Sequence, residues 1–304
     1  MASLTSEEKL AASSGAARFA LMALFSGAIA IAFAPIFVRL SQVGPSATAF
    51  WRMSLALPAL WLLSGLERRG ATQPRRAVSS FDYRRLAAAG LFFAGDLAFW
   101  HWSIKFTSVA NATLLANFMP IFVTLGSWLL FNQRVSAKFI LSMLVAFAGT
   151  ILIVGVSFSL SLQRLWGDGL GLITAVFYAG YILSVKRLRS QFSTATVMAW
   201  IGLVTSIVLL PVTLAFGESL LPVDIRGWLV LVGLALVSQV GGQGLIAFAL
   251  AHLPASFSSL TLLVQPVMAA VFAWLILAES IAPLQATGGI LVLAGIFFAR
   301  RESL

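Results

Sequence analysis

Residues 115–133 read LANFMPIFVTLGSWLLFNQ, and residues 261–279 read TLLVQPVMAAVFAWLILAE. Each is an apolar run interrupted by one proline, Pro120 or Pro266, and each carries a Trp-Leu pair eight residues further on, Trp128-Leu129 or Trp274-Leu275. The offset from Pro120 to Pro266, 146 residues, also places Ala148 on Ala294, Gly149 on Gly295 and Gly95 on Gly241. Landmarks that hold one register over this distance indicate an internal repeat. Leucine and alanine coincide easily by chance in apolar segments, whereas proline, tryptophan and glycine do so less.

The whole chain has the composition those two segments suggest. Of 304 residues, 60% are hydrophobic and 10% charged, with 24 Phe, 9 Trp and no Cys, and the mean hydropathy is +0.98. Soluble domains are nearer half apolar and a quarter charged. A disordered chain, a disulfide-built domain, a zinc finger and a cysteine-nucleophile enzyme are excluded. A helix needs about 20 apolar residues to cross a bilayer. Ten stretches qualify, at 19–38, 46–65, 86–105, 109–131, 138–156, 169–185, 194–215, 227–250, 256–277 and 283–299. The expected class is an all-α integral membrane protein. The first run is longer than the ~7–15 residues of a signal-peptide core, so it reads as a span. The preceding residues 1–18 read as a disordered cytoplasmic tail.

The two halves, 19–156 and 169–301, hold five spans each. Five is odd, so the second half enters the membrane from the opposite side, giving two inverted-topology repeats. Basic residues set the orientation. With both termini cytoplasmic, fifteen lie inside: Lys9, Arg18, Arg68, Arg69, Arg75, Arg76, Arg84, Arg85, Arg134, Lys138, Lys186, Arg187, Arg189, Arg300 and Arg301. Four lie outside, Arg39, Lys105, Arg164 and Arg226, and Arg52 falls within a span. That bias follows the positive-inside rule and accounts for the net charge of +10 without nucleic acid. The expected place is the cell (inner) membrane, multi-pass.

Three stretches also carry a family resemblance: AIAFAPIFVRLSQVGPSATAFWRMSLALPALWLL, SIKFTSVANATLLANFMPIFVTLGSWLLFNQRVS, and the run from AFALAHLPASF to AGIFFAR. Together they resemble the drug/metabolite transporter superfamily, EamA type, over nearly the whole chain. The resemblance implies a ten-span exporter of amino acids, related metabolites or toxic compounds, most like the aromatic amino acid and drug exporters. It also implies a central cavity surrounded by spans one to four and six to nine, with the fifth and tenth peripheral. Family members commonly carry an acid after the fourth and ninth spans. Glu279 matches the second position, whereas Gln133 departs from the first.

Ionisable and amide groups inside spans are costly and so are candidates for function. Asp96 lies ten residues past Leu86, roughly 15 Å deep, near the midplane. Trp100 and Ser103 share its helix face. Asp96 would bind a substrate ammonium group or carry a proton; equally, it would lock helix packing. Gln239 and Gln243 are spaced i,i+4 among Gly241, Gly242 and Gly244, and the repeat offset puts Gly242 opposite Asp96. They offer amide contacts to a zwitterionic ligand, or interhelical hydrogen bonds. Pro120 and Pro266, with Asn117 and Gln265 beside them, are candidate hinges, or kinks without motion. Arg52 and His101 fall near the outer ends of their spans. Arg52 is a candidate carboxylate anchor, and either side chain could snorkel to the interface. Tyr178 is too deep for an interfacial belt and points to the cavity. Trp128 and Trp274 fit belts at opposite surfaces.

No HExxH, GxSxG or P-loop motif occurs, and Asp96 has no second acid at its depth. An enzyme and an ATP-driven pump are therefore not expected. The reading is a secondary transporter that exports aromatic or other apolar amino acids, or related metabolites, by alternating access. A drug or lipophilic-cation exporter is the alternative, and a non-transporting scaffold a weaker one. The expected partners are a small-molecule substrate and the lipid bilayer, with protons a candidate coupling ion. No cofactor, metal or nucleic acid is expected, and the composition fits a monomer or a homodimer equally.

Overall fold

A computed structural model of the chain describes residues 6–69, 79–107, 109–155, 165–277 and 281–303. Among the described residues there are ten helical rods and no strand. The first runs Ser6–Ala32 and continues as Ala34–Leu40; the second is Pro45–Ser54 then Leu57–Arg69. The third is Ser80–Phe106, the fourth Val109–Ala116 then Met119–Phe131, and the fifth Ala137–Gly155. The sixth and seventh are Leu165–Leu188 and Thr194–Ala215. The eighth runs Ile225–Gly233, a π-helical Leu234–Gln243, then Gly244–Leu250; the ninth is Ala255–Thr261 then Val264–Leu277, and the tenth Pro283–Ser303. Eight of the ten are long and apolar enough to cross a bilayer, and the fifth contains a shorter apolar helix, Ala137–Ile153. The third is 27 residues long, but Asp82, Asp96 and His101 dilute its apolar run.

Two expectations need correction. Residues 6–18 are not a disordered tail: the first helix begins at Ser6, through Glu, Lys, Leu and Ala, which are strong helix formers. The third span starts at Ser80 rather than 86, because Ser79 and Asp82 form a capping box that satisfies the free amides of its first turn. Glu279, expected as the family's acid, lies outside the described residues.

Breaks in the rods follow proline. Pro120 and Pro266 each stand just past an interruption, at 117–118 and 262–263. Pro35 and Pro58 similarly follow breaks at Phe33 and at Leu55–Ala56. Proline lacks the amide donor and its ring crowds the preceding turn, so the helix is weakest there.

Packing shows the repeat directly. The fifth and tenth rods lie against each other, as do the second and seventh; the third packs on the sixth as the first packs on the eighth, and the fourth packs on the sixth as the ninth packs on the first. At the fifth–tenth crossing, Gly149 approaches Gly288 and Gly295 approaches Ser142. The offset of 146 residues carries one of these contacts onto the other. An added Cβ at Gly149 would stand 2.5 Å from the Gly288 carbonyl oxygen. Small residues let two backbones touch where lipid supplies no hydrophobic drive between helices. Trp128 and Trp274 are 50% and 52% exposed on the outside of the bundle, as interfacial residues require.

The second and seventh spans also cap one another. The Ala47 amide, in the first turn of the second span, donates to Glu218 Oε2 just past the seventh (2.9 Å). The Ala195 amide, in the first turn of the seventh, donates to Glu67 Oε2 near the end of the second (3.3 Å). Each carboxylate meets the positive end of a helix dipole and satisfies an amide without an intrahelical partner. Replacing Glu218 with Ala is expected to cost about 1 kcal/mol, read as a lower melting temperature in detergent. An unchanged melting temperature would show that water caps the helix equally well.

Candidate functional site

One cavity of about 140 Å³ lies in the middle of the bundle. It is lined from the first, second, third, fourth, sixth, eighth and ninth spans. Among the described residues, the fifth and tenth contribute no lining residue, and neither does the seventh, which the family resemblance had placed around it. The seventh instead packs behind the second and third, which shield it. Lining residues Ile31, Pro35, Val38, Thr48, Arg52, Trp100, His101, Thr113 and Thr174 all fall in the half of their spans farthest from the termini. The cavity therefore opens from the midplane toward the face opposite the termini.

The terminal-side half is closed. Tyr181, Val185, Met198, Leu250, Leu253 and Leu260 are all buried there. Lys186 Nζ donates to the Leu253 carbonyl (2.9 Å) and Arg189 Nε to the Ala247 carbonyl (3.1 Å). These bonds tie the end of the sixth span to the end of the eighth and to the turn that follows it.

Eight of the ten residues singled out from the sequence line this cavity: Arg52, Asp96, Trp100, His101, Asn117, Tyr178, Gln243 and Pro266. Neither Arg52 nor His101 snorkels; they are 8% and 1% exposed. Both lie on helix faces that turn inward, and the His101 ring bonds back to the Leu97 carbonyl one turn earlier. Pro120 is buried behind the wall and does not line the cavity. Gln239 also lies behind it, accepting a hydrogen bond from Arg52 Nε (3.0 Å). Ser103, on the face of Asp96, is used structurally: its hydroxyl donates to the Gly167 carbonyl (2.7 Å). Gly242 gives no room to a ligand. It lets the first and eighth spans approach, its added Cβ standing 2.6 Å from Ile31. Of Trp51, Trp100, Trp102 and Trp200, only Trp100 lines the cavity. Trp51 and Trp102 meet Trp228 and Phe216 edge to face near the open face, and Trp200 meets Trp61 in the same way.

The floor is a polar and aromatic network. The Tyr181 hydroxyl donates to Gln243 Oε1 (3.2 Å), and Gln243 Nε2 donates to the Tyr178 hydroxyl (3.4 Å). Tyr178 stacks on Tyr181, and Tyr181 on Phe93, with ring centroids 5.9 and 4.4 Å apart. The Arg52 guanidinium carbon lies 5.9 Å from the Phe93 ring centre, a cation–π contact. Gln239 and Gln243 both belong to the π-helical stretch, whose wider turn aims one at Arg52 and the other at the tyrosines. Such segments are common at functional sites.

Arg52 and Asp96 lie within electrostatic reach of each other across the cavity. Among the described residues nothing donates a hydrogen bond to the Asp96 carboxylate. Asn117 Nδ2 donates to the Thr113 carbonyl (2.8 Å), patching the break before Pro120. Sequence reasoning missed Phe93 and Leu97 as lining residues, although they complete the stripe 93, 96, 97, 100 on one helix face. It also missed Pro35, whose only signal was a proline inside an apolar run.

A family model for EamA-like transporters matches residues 18–155 and again 165–301. The chain belongs to the EamA-like transporter family. It is a multi-pass membrane transporter and not an enzyme. The pseudopaline exporter CntI of Pseudomonas aeruginosa is 27% identical to it, over 80% of this chain and 81% of its own length. A probable terminal-alkyne amino-acid exporter of Streptantibioticus cattleyicolor is 27% identical over 90% of each chain. A crystal structure superposes with a TM-score of 0.74 at 21% identity, covering 92% of this chain and 98% of that one, which is a likeness of fold.

Proposed function

We propose that this EamA-like transporter exports amino acids or closely related zwitterionic metabolites by alternating access, with aromatic or other apolar side chains preferred. The observation that carries this reading is a buried guanidinium and a buried carboxyl group, Arg52 and Asp96, on the walls of one small cavity. An α-amino acid presents a carboxylate and an ammonium group, and Arg52 and Asp96 complement those charges. Arginine binds carboxylates through its planar fork of donors. Trp100, Tyr178 and Phe93 supply ring surface for the rest of the ligand. The two similar exporters, one of them named for an amino acid, support the same class of solute.

With the termini in the cytoplasm, a placement supported by the bias of Lys and Arg, the cavity faces outward. The described conformation is then the releasing state, and Lys186 and Arg189 hold the cytoplasmic side shut. Protons are the proposed coupling ion, with Asp96 as their carrier. The test is a panel of aromatic, aliphatic and polar amino acids and lipophilic cations in proteoliposomes, with and without an imposed pH gradient. Amino-acid flux that rises with the gradient is expected. Flux confined to lipophilic cations would overturn the substrate class, and gradient-independent flux would overturn proton coupling.

Pro120 and Pro266 stand at the breaks of the fourth and ninth spans, and we assign them to hinge motion. Pro120→Ala and Pro266→Ala are each expected to slow turnover several-fold while the apparent substrate affinity holds, since a continuous helix bends less readily. Paired measurement of flux and binding checks this, and wild-type turnover in both variants would discard the hinges.

A further inference from the structure

A second concavity lies at the terminal-side end of the bundle, away from the transport cavity. It is a groove of about 240 Å³ between the third, fourth and sixth spans, lined by Phe92, Leu130, Gly180 and Leu183 together with Arg85 and Arg187. Arg85 falls in the second turn of the third span, which begins at Ser80, and Arg187 in the last turn of the sixth, which ends at Leu188. Both arginines thus stand where the helices leave the hydrocarbon. Gly180 lies deeper on the sixth span, roughly 10 Å below Arg187 at 1.5 Å per residue. The groove therefore runs from headgroup level into the bilayer.

Its apolar edge is open to lipid, with Leu130 61% and Phe92 37% exposed. The Phe92 ring packs onto Gly180, where an added Cβ would stand 2.5 Å from it, and so forms one wall of the groove. Arg85 lies over the Phe81 ring, 4.1 Å from its centre. Among the described residues neither Arg85 nor Arg187 has a carboxylate partner. Two cations brought to one groove beside an apolar wall repel each other unless an anion lies between them.

We propose that this groove binds an anionic phospholipid, with its phosphate between Arg85 and Arg187 and an acyl chain along Phe92, Leu130 and Leu183. Basic pockets between spans at the membrane surface are suited to acidic headgroups. The third and sixth spans belong to different repeats, so the lipid bridges the two halves on the side where the transport cavity is closed.

The test uses the full chain purified in neutral detergent, with bound lipid followed by native mass spectrometry and stability by thermal unfolding. Phosphatidylglycerol is expected to bind and to raise the melting temperature, whereas phosphatidylcholine is expected to do neither. In Arg85→Gln/Arg187→Gln, phosphatidylglycerol affinity falls about 25-fold, about fivefold from each arginine. Ala88→Leu, which narrows the groove with both arginines retained, also weakens binding and covers the case in which the double variant fails to fold. Equal binding of the two lipids, or phosphatidylglycerol affinity unchanged in the variants, would overturn the proposal. Equal stabilisation by glycerol 3-phosphate would overturn it too, by showing a site for free anions.

Discussion

Asp96→Asn and Arg52→Gln are each expected to lower amino-acid flux by about 10- to 100-fold, the loss of one charge-assisted contact worth roughly 1.5–3 kcal/mol. Each single variant is also expected to be less stable, because removing one of two ionisable groups that share a cavity leaves the other buried without its counterpart. The double variant separates the two effects. With both charges removed, no uncompensated ion remains among buried groups, and the amide introduced by Arg52→Gln can still donate to Gln239. Stability should therefore recover toward that of the wild type. Flux should not recover, because neither end of a zwitterion meets its complement. Thermal unfolding and proteoliposome flux measured on all three variants decide the matter. A double variant that regained transport would show that Arg52 and Asp96 serve packing alone, and the proposed substrate class would fall with it.

The second large effect concerns the fold. Gly149→Ala is expected to destabilise by about 1–3 kcal/mol, although glycine-to-alanine changes inside helices ordinarily stabilise by about 1 kcal/mol. The sign reverses because the new methyl group meets backbone on the tenth span, 2.5 Å from the Gly288 oxygen and 2.6 Å from the Val292 nitrogen. Neither atom can rotate away, so the two helices must separate. Gly295→Ala should behave alike, since its methyl would meet the Ser142 oxygen at 2.6 Å and the Ala146 nitrogen at 2.7 Å. Gly65 is the control: its Cβ position is open, and Gly65→Ala should hold or gain stability. The readout is the midpoint of thermal unfolding in detergent. Equal midpoints for all three variants would mean that the crossing is loose and that the repeat symmetry is not held there.

Much of the site was legible from polar cost alone. A carboxylate, a guanidinium and two amides inside apolar spans are expensive, so Asp96, Arg52, Gln239 and Gln243 stand out in the sequence. Their division of labour does not. The sequence places Gln239 and Gln243 on one face of an α-helix, but the π-helical turn sends the first to Arg52 and the second to the tyrosines. Arg52 and His101 lie near helix ends, which allowed snorkelling, and only the neighbouring helices show that they face inward. Residues 6–18 looked disordered because they are polar, yet their helix propensity is high.

Composition and spacing by themselves determined the membrane class, the spans, the internal repeat and the charge bias, because each follows from local chemistry along the chain: apolar length, odd span number and the cost of burying ions. Tertiary structure alone decided which faces meet. It brought Arg52 and Asp96 to one cavity, set the seventh span behind the wall, made glutamates cap helices of the other repeat, and left the cavity closed on one side. Those outcomes depend on contacts between residues far apart in the chain, and helix periodicity carries no information about which neighbour a face will find.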